Sequence, residues 1–346
     1  MIKPRLVLLL LVLCFFQSTK ADVPAVEEDF SDTSNIISYR DKLCLQIYTI
    51  RKFRTYALKN QELDLKMKFE PNGQTNIGFG FSYKWMVLGL AFSSPFVNKD
   101  NSTYGETKRF DFQVNLLSKF YGISSYYQKY QGFYLSNPQD FMDWQQPYFP
   151  TIGDIQCTSF GLSLFYWFNN RNFSYKAAYL RNEVQQKSAG GFILGTYTDV
   201  DVVYAPSGFI PNELPDSLSN IFDFQGYSTA VLGLSFGYAY TLVLLKKFFI
   251  NLSAVPGVGY RNLSIWYITR NDKTKPDFTG TIKGRFSFGY EGKHFFWGLS
   301  AIAGMESFKY EEVDISTTSG QFRIYLGKRF NVGKKSKKSN PQFIDN

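Results

Sequence analysis

The chain is short of the residues from which metal centres and disulfide scaffolds are made: its 346 residues include three cysteines and a single histidine, His294. With no CxxC pair and no Cys/His cluster, a structural zinc site and a disulfide-rich framework are excluded, and no metal or cofactor is expected. Long apolar runs are missing too. Beyond residue 21 no stretch reaches the roughly 18 consecutive apolar residues of a membrane-spanning helix, which excludes a helical membrane protein. No phosphate-cradling loop is present, because Gly257-Val258-Gly259 follows Pro256 in a strand-like segment without the strand-to-helix switch such a loop needs. Nor does charge point to nucleic acid. The formal net charge is +9, but Lys334, Lys335, Lys337 and Lys338 crowd the C-terminal tail, so the basic excess is local.

The N-terminus reads as a secretory leader over residues 1–21. Lys3 and Arg5 form a basic start, Leu6 to Phe16 a short apolar stretch, and Thr19-Lys20-Ala21 a small-residue cleavage site. Cleavage removes three cations and no acid, leaving 35 basic groups against 29 acidic ones and a net charge of +6. Only Cys44 and Cys157 remain in the exported chain, and their spacing leaves open whether they pair.

What is abundant is aromatic and small. Phe (35), Tyr (24) and Gly (27) are set in a chain of slightly polar mean hydropathy, the mixture of a transmembrane barrel with aromatic girdles and a crowded interior. Period-two alternation carries the argument, since successive strand side chains point to opposite faces. Ile77, Phe79, Phe81 and Tyr83 oppose Gly78, Gly80 and Ser82, and the pattern resumes at Met86, Leu88, Leu90 and Phe92. Phe110, Phe112, Val114 and Leu116 oppose Arg109, Asp111, Gln113 and Asn115. Later, Phe160 to Phe168, Leu232 to Tyr240 and Ile282 to Tyr290 repeat the pattern, each with Gly, Ser or charge opposite. One face is nearly all large and apolar while the other is small or charged, which suits a barrel with lipid outside and a polar lumen inside.

The fold class expected is therefore all-β, a closed antiparallel transmembrane barrel of about 14 strands, with 12 as the alternative. Its boundaries are a leader at 1–21, a periplasmic segment at 22–40, the barrel at 41–330 and a basic periplasmic tail at 331–346. Turn-rich stretches at 96–106, 131–155, 203–223 and 269–278 are the expected exterior loops. If every marked segment spans the membrane, the tight turns near 83–85 and 119–120 fall at the opposite end from those near 246–247 and 292–293. One strand between 131 and 223 is therefore miscounted. The final strand, Gly320 to Phe330, ends on an aromatic and resembles the terminal signal read by outer-membrane assembly machinery, although 16 residues follow it.

Two stretches resemble a known family as text. Phe69-Glu70-Pro71-Asn72 with Ile77 to Trp85 is one, and Phe173 to Tyr179 with Gln185 to Gly190 is the other. With Phe133-Tyr134 after Gly132, they resemble domain of unknown function family 4421, uncharacterised envelope proteins of Bacteroidota, over residues 40 to 330. Gly191 departs from the resemblance, which expects Ser there. The resemblance implies an outer-membrane barrel and supplies no reaction.

Lumen candidates follow from parity. Arg181, Glu183, Gln185 and Lys187 form a polar ladder if that segment is extended, and Arg109, Asp111, Lys283 and Arg285 add charge of both signs. They either orient a charged or sugar-like solute or fill a closed interior with mutually paired charge. His294 opens a strand beside Phe295, Phe296 and Trp297, where nothing pairs it with a Ser at a diagnostic motif, so no catalytic residue is assigned. The leading expectation is a non-enzymatic outer-membrane barrel: a pore, transporter or structural component. Its expected partners are outer-membrane lipid, the barrel assembly machinery and a small solute, without nucleic acid. A lipid-modifying hydrolase using His294 and a secreted soluble β-sandwich are the alternatives.

Overall fold

The computed structural model describes residues 35–84, 86–93, 100–215, 218, 224–268, 271–311 and 313–332. The expected leader, most of the segment at 22–40 and the basic tail beyond 332 lie outside them. The alternating segments are strands. In chain order they are β1 (Ile36–Ser38), β2 (Lys42–Asn60), β3 (Leu65–Glu70), β4 (Thr75–Tyr83), β5 (Met86–Ser93), β6 (Lys108–Leu117), β7 (Tyr121–Leu135) and β8 (Thr151–Trp167). After them come β9 (Glu183–Gln185), β10 (Ala189–Tyr204), β11 (Phe224–Leu244), β12 (Phe248–Tyr267), β13 (Lys273–Glu291), β14 (Phe295–Tyr310) and β15 (Val313–Asn331).

Ten strands close an antiparallel ring in the order β2–β3–β7–β8–β10–β11–β12–β13–β14–β15, with β15 returning to β2. That last pairing runs from Val313↔Asn60 to Asn331↔Lys42. A single sheet closed on itself is a barrel, not the two stacked sheets of a sandwich. Three further strands extend the wall: β4 pairs with the first half of β2 and with β5, and β6 pairs with β7. Strands β3 and β4 are one antiparallel partner of β2, interrupted at residues 71–74. The break follows from Pro71, which has no N–H for a ladder.

Strand polarity puts the connections near 84, 118–120, 245–247 and 292–294, together with the long segment between β8 and β10, at one end, the turn end, and the remaining hairpin connections at the other, the loop end. The apparent conflict among the tight turns disappears because residues 169–188 do not cross the wall: β8 and β10 are direct neighbours, and the segment between them folds into the barrel mouth. Two expected loops are also shorter, since β7 continues to Leu135 and β13 begins at Lys273. At the turn after β11, Leu245 and Lys246 both take positive φ, 52° and 57°. Such a two-residue turn matches the twist of its flanking strands.

The interior is layered. Toward the loop end lies an apolar core that includes Tyr56, Leu58, Phe69, Phe133, Tyr227 and Leu263, into which the connection after β10 inserts Phe209, Leu214 and Leu218. Near the turn end a smaller core gathers Trp167, Phe173, Tyr175 and Ile193. Between them lie inward charges, among them Arg54, Asp199, Asp201 and Arg261, beside Val231 and inward glycines such as Gly161 and Gly233. Cys44 and Cys157 are both buried free thiols.

Gly132 marks the register shift of β7 against β8, at φ +88°, and a Cβ there would lie 2.3 Å from the Glu106 carbonyl oxygen. Gly132→Ala is expected to cost about 1–3 kcal/mol, the usual cost of a forced backbone conformation. Gly153→Ala, where an added Cβ meets nothing within 4 Å, should change stability by less than about 0.5 kcal/mol. Comparison of thermal midpoints decides, and equal shifts would refute the reading of Gly132.

Candidate functional site

The chemistry of the chain lies inside the barrel, in two charge clusters separated along its axis. The one nearer the loop end is built on β2. Its Arg54 donates to Asp201 on β10 at 2.5 Å and to Gln128 on β7 at 2.9 Å. Gln128 in turn donates to Asp111 on β6 at 2.9 Å, and Asp111 also takes the Tyr130 hydroxyl at 2.9 Å and the Lys52 ammonium at 2.7 Å. Ser159 donates to Asp201, closing a chain of polar contacts that crosses the lumen from β6 to β8. Beside it Asp199 accepts from Tyr126 at 2.9 Å and from Lys283 at 3.2 Å, while Lys283 lies over the Tyr197 ring. On the opposite wall Arg261 is held by Asp277 at 2.9 and 2.5 Å and stacks on Phe308. Alternation drives this arrangement, because it aims every second side chain of neighbouring strands into a space without bulk water, where each charge needs a partner.

The second cluster is a plug at the turn end. Residues 169–188 fold inward through a short 3-10 turn (Lys176–Ala178) and β9, which pairs with β1 through Ile36↔Gln185, Ile37↔Val184 and Ser38↔Glu183. Glu291 of β13 sits between two buried guanidiniums. Arg181 of the plug reaches it at 3.2 Å, and Arg329 of β15 donates to its other oxygen. Arg181 also donates to Ser287 at 3.0 Å, and Arg329 to the Arg181 carbonyl at 3.1 Å, so the plug is tied to the wall by both side chain and backbone. Glu183 binds Lys176 and the Ser174 hydroxyl. The Gln185 amide accepts from the Ser174 N–H at 2.9 Å and donates to the Asn172 carbonyl at 2.6 Å. Tyr179 donates to Asn251 on β12 at 2.7 Å. Tyr39, just after β1, has Arg329 stacked on its ring, and burial raises its phenol pKa above the ordinary value although the guanidinium pulls it down.

The expected lumen residues thus divide. Asp111 and Lys283 join the first cluster, Arg181, Glu183 and Gln185 build the plug, and Arg285 stacks over the plug tyrosines Tyr175 and Tyr179. Arg109 stands apart, donating to the Asn72 carbonyl at the β3–β4 break, and Lys187 is exposed at the turn end. The Arg181–Lys187 ladder is not a wall strand. Arg181 takes φ 64° and only Glu183–Gln185 is extended, so the side chains diverge instead of sharing one face. Sequence reasoning missed Lys52, Arg54, Asp199, Asp201, Arg261, Glu291 and Arg329. Asp199 and Asp201 are at alternate positions of β10 and were legible in principle. Arg51-Lys52-Phe53-Arg54 masks alternation, because Arg51 carries charge on the face opposite Lys52 and Arg54.

His294 is exposed in the turn before β14, where its backbone carbonyl accepts from the Arg329 N–H. The text G-x-S-x-G does occur, at Gly233-Leu234-Ser235-Phe236-Gly237, but inside β11. Both edges of that strand are paired there, with Ser235 opposite Gly195 and Gly257, so the sharp turn that exposes a nucleophile is absent. Gly191, the departure from the family text, has the Phe168 carbonyl oxygen 2.3 Å from where a Cβ would stand, so a serine there would displace backbone.

Glu291→Gln leaves two buried guanidiniums without a counter-charge. The expected loss is about 3–5 kcal/mol of plug anchoring, the range for breaking a buried pair by removing one partner. Limited proteolysis of the intact barrel reads it: cleavage within 169–188 should rise sharply in the variant, and an unchanged cleavage pattern would show that the plug is held otherwise.

A family model described as Domain of unknown function (DUF4421) matches residues 31–330. No curated protein matches the chain in sequence. Among solved structures, the outer membrane protease OmpT of Escherichia coli is similar at 10% identity and TM-score 0.36, over 88% of this chain and 99% of that one. The translocator domain of the autotransporter NalP of Neisseria meningitidis is similar at 5% identity and TM-score 0.31, over 83% and 88%. The P. putida toluene transporter TodX is similar at 8% identity and TM-score 0.26, over 85% and 91%. With a match that begins before β1 and ends at the penultimate residue of β15, the chain belongs to the DUF4421 family.

Proposed function

We propose that the protein is an outer-membrane barrel of a Gram-negative cell, its turn end in the periplasm, that acts as a transporter with an occluded lumen instead of a permanently open pore or an enzyme. The observation that carries this reading is the pairing of an apolar outer belt with a filled interior. Outward side chains around the wall are large, apolar and strongly exposed, for example Leu234 at 64%, Phe79 at 62% and Phe112 at 58%. A belt this extensive is untenable in water and natural in lipid. Near the turn end aromatic pairs ring the wall, among them Phe192–Tyr238, Phe248–Tyr290 and Phe288–Trp297, with centroids 5.0, 5.2 and 5.9 Å apart. Such a girdle fits a membrane interface.

Most wall strands exceed the roughly 9–11 residues needed to cross a bilayer. At the level of the turn end twelve strands line the wall: β2, β4, β5, β6, β7, β8 and β10 to β15. Export by the leader at 1–21 and insertion by the assembly machinery acting on β15 belong to the same reading. The hydrolase alternative rests on His294, which is exposed in the turn before β14 and whose backbone carbonyl accepts from the Arg329 N–H.

Three measurements test this. Protein from purified outer membranes should shift in gel mobility on boiling, as closed barrels resist detergent until heated; a soluble, unshifted protein would sink the reading. In planar bilayers the intact protein should show no steady open-pore current, because both ends of the lumen are packed. Replacing residues 170–187 or 206–223 singly with a short linker should leave it closed, while replacing both should give a conducting pore. Within the belt, Leu234→Arg should cost about 2–4 kcal/mol in lipid, against under 1 kcal/mol for the inward Ser235→Ala, as measured by refolding equilibria.

A further inference from the structure

We infer that the turn-end half of the barrel binds one anionic lipid, its phosphate on Arg323 and its acyl chains leaving the lumen between β5 and β6 into the bilayer. The inference deepens the outer-membrane reading above and rests on it.

The wall has a seam. Among the described residues β5 pairs with β4 alone and β6 with β7 alone, so each leaves one edge without a strand partner. Toward the loop end the ring passes instead through β3, which meets β7 at only Phe69↔Leu135 and Glu70↔Tyr134. A knot on Asn72 stitches that level. The Asn72 N–H donates to the Thr107 hydroxyl at 2.8 Å, its side-chain amide donates to the Gly105 carbonyl at 2.9 Å, and Arg109 donates to its carbonyl. Below the knot no ladder joins the two edges. Backbone left bare in hydrocarbon is costly enough that open sheet edges do not persist there, so the seam requires an occupant.

The exposure of β5 shows how deep the seam goes. A wall strand of a closed barrel is exposed on its outer face only, yet every residue of β5 is exposed, the inward Gly89 and Ala91 as well as the outward Leu88 and Leu90. The slot therefore reaches the lumen. Its inner floor is built on glycines: the Tyr48 ring lies against Gly78, with its hydroxyl 3.0 Å from where a Gly89 Cβ would stand, and the Gln46 side chain lies over Gly80. Directly behind Tyr48 is Arg323, its guanidinium 3.7 Å from the ring centroid. Arg323 Nε is buried without a hydrogen-bond partner, and among the described residues no ion pair engages this side chain. Arg181 and Arg329 share the single carboxylate of Glu291, Arg285 faces the same half of the lumen over Tyr175 and Tyr179, and Glu183 is committed to Lys176, so this half carries more cations than acids.

Charge complementarity thus selects an anion, and the route selects its source. The slot is flanked outside by Leu88, Leu90, Phe110 and Phe112, which suits acyl chains and not a hydrated free anion.

The test uses the full-length protein extracted from outer membranes, with the heat-dependent mobility shift read first on every preparation. Loss of the shift would remove the outer-membrane barrel reading itself, whereas a shifted protein without lipid binding would remove only the present inference. Native mass spectrometry with phosphatidylglycerol should give one tightly held lipid, and phosphatidylcholine should bind at least tenfold more weakly. Arg323→Gln should weaken phosphatidylglycerol at least tenfold, and Arg323→Lys should recover most of that loss. A Leu90→Cys, Phe112→Cys pair, in a background with Cys44→Ala and Cys157→Ala, should exclude the lipid once oxidised and readmit it on reduction. Four further outcomes would overturn the inference: Arg323→Gln binding as wild type does, inorganic phosphate competing as well as the lipid, the oxidised pair binding undiminished, or the cysteines linking two copies of the chain.

Discussion

Everything in this molecule depends on the satisfaction of backbone hydrogen bonds in a wall whose outer face is apolar. In the membrane proposed above, an amide facing hydrocarbon has no water to turn to, and the ladder between β15 and β2 is what closes the ring. Once that ladder forms, the alternation along each strand sends a belt of large apolar side chains out and brings most of the small and charged residues into a narrow interior. The interior charges follow from closure as much as from selection for chemistry, and their mutual pairing is the condition on which the barrel can hold them.

The confinement explains the order inside. Toward the loop end the inward residues are themselves apolar and make a core that accepts Phe209 and Leu214 from a connecting segment. In the middle, the Arg54–Asp201 and Lys283–Asp199 pairs neutralise each other across strands far apart in the chain. At the turn end the wall contributes one buried acid, Glu291, between two arginines, one of which comes from the plug. The plug is thus held by the wall's electrostatics, since neither Arg329 nor Glu291 would be comfortable in an empty mouth.

The barrel and the facing of most strands were legible in the sequence, because alternation over Ile77–Tyr83, Phe160–Phe168 or Leu232–Tyr240 needs only the two-residue period of a strand. Strand number was not. The segment from Phe173 to Lys187 carries alternating polar residues that mimic a wall strand, and only its tertiary role separates it from one. The charge partners were hidden for a related reason: Arg54 and Asp201 are 147 positions apart, and no local pattern reports a contact made across a lumen. The stretches that resembled the family as text include two irregular places, the Pro71–Asn72 break and the plug, where specific side chains replace regular pairing, beside the regular strand β4.

The pairing of β1 with β9 has a bearing on how the molecule comes into being. The first strand of the described chain docks against a segment about halfway along it, inside a mouth that exists only after the last strand has met β2. The earliest strand of the described chain is therefore among the last to find its place. Until the C-terminal strand arrives, Ile36 to Ser38 must be kept waiting, and the sealing of the mouth becomes a report that assembly is complete.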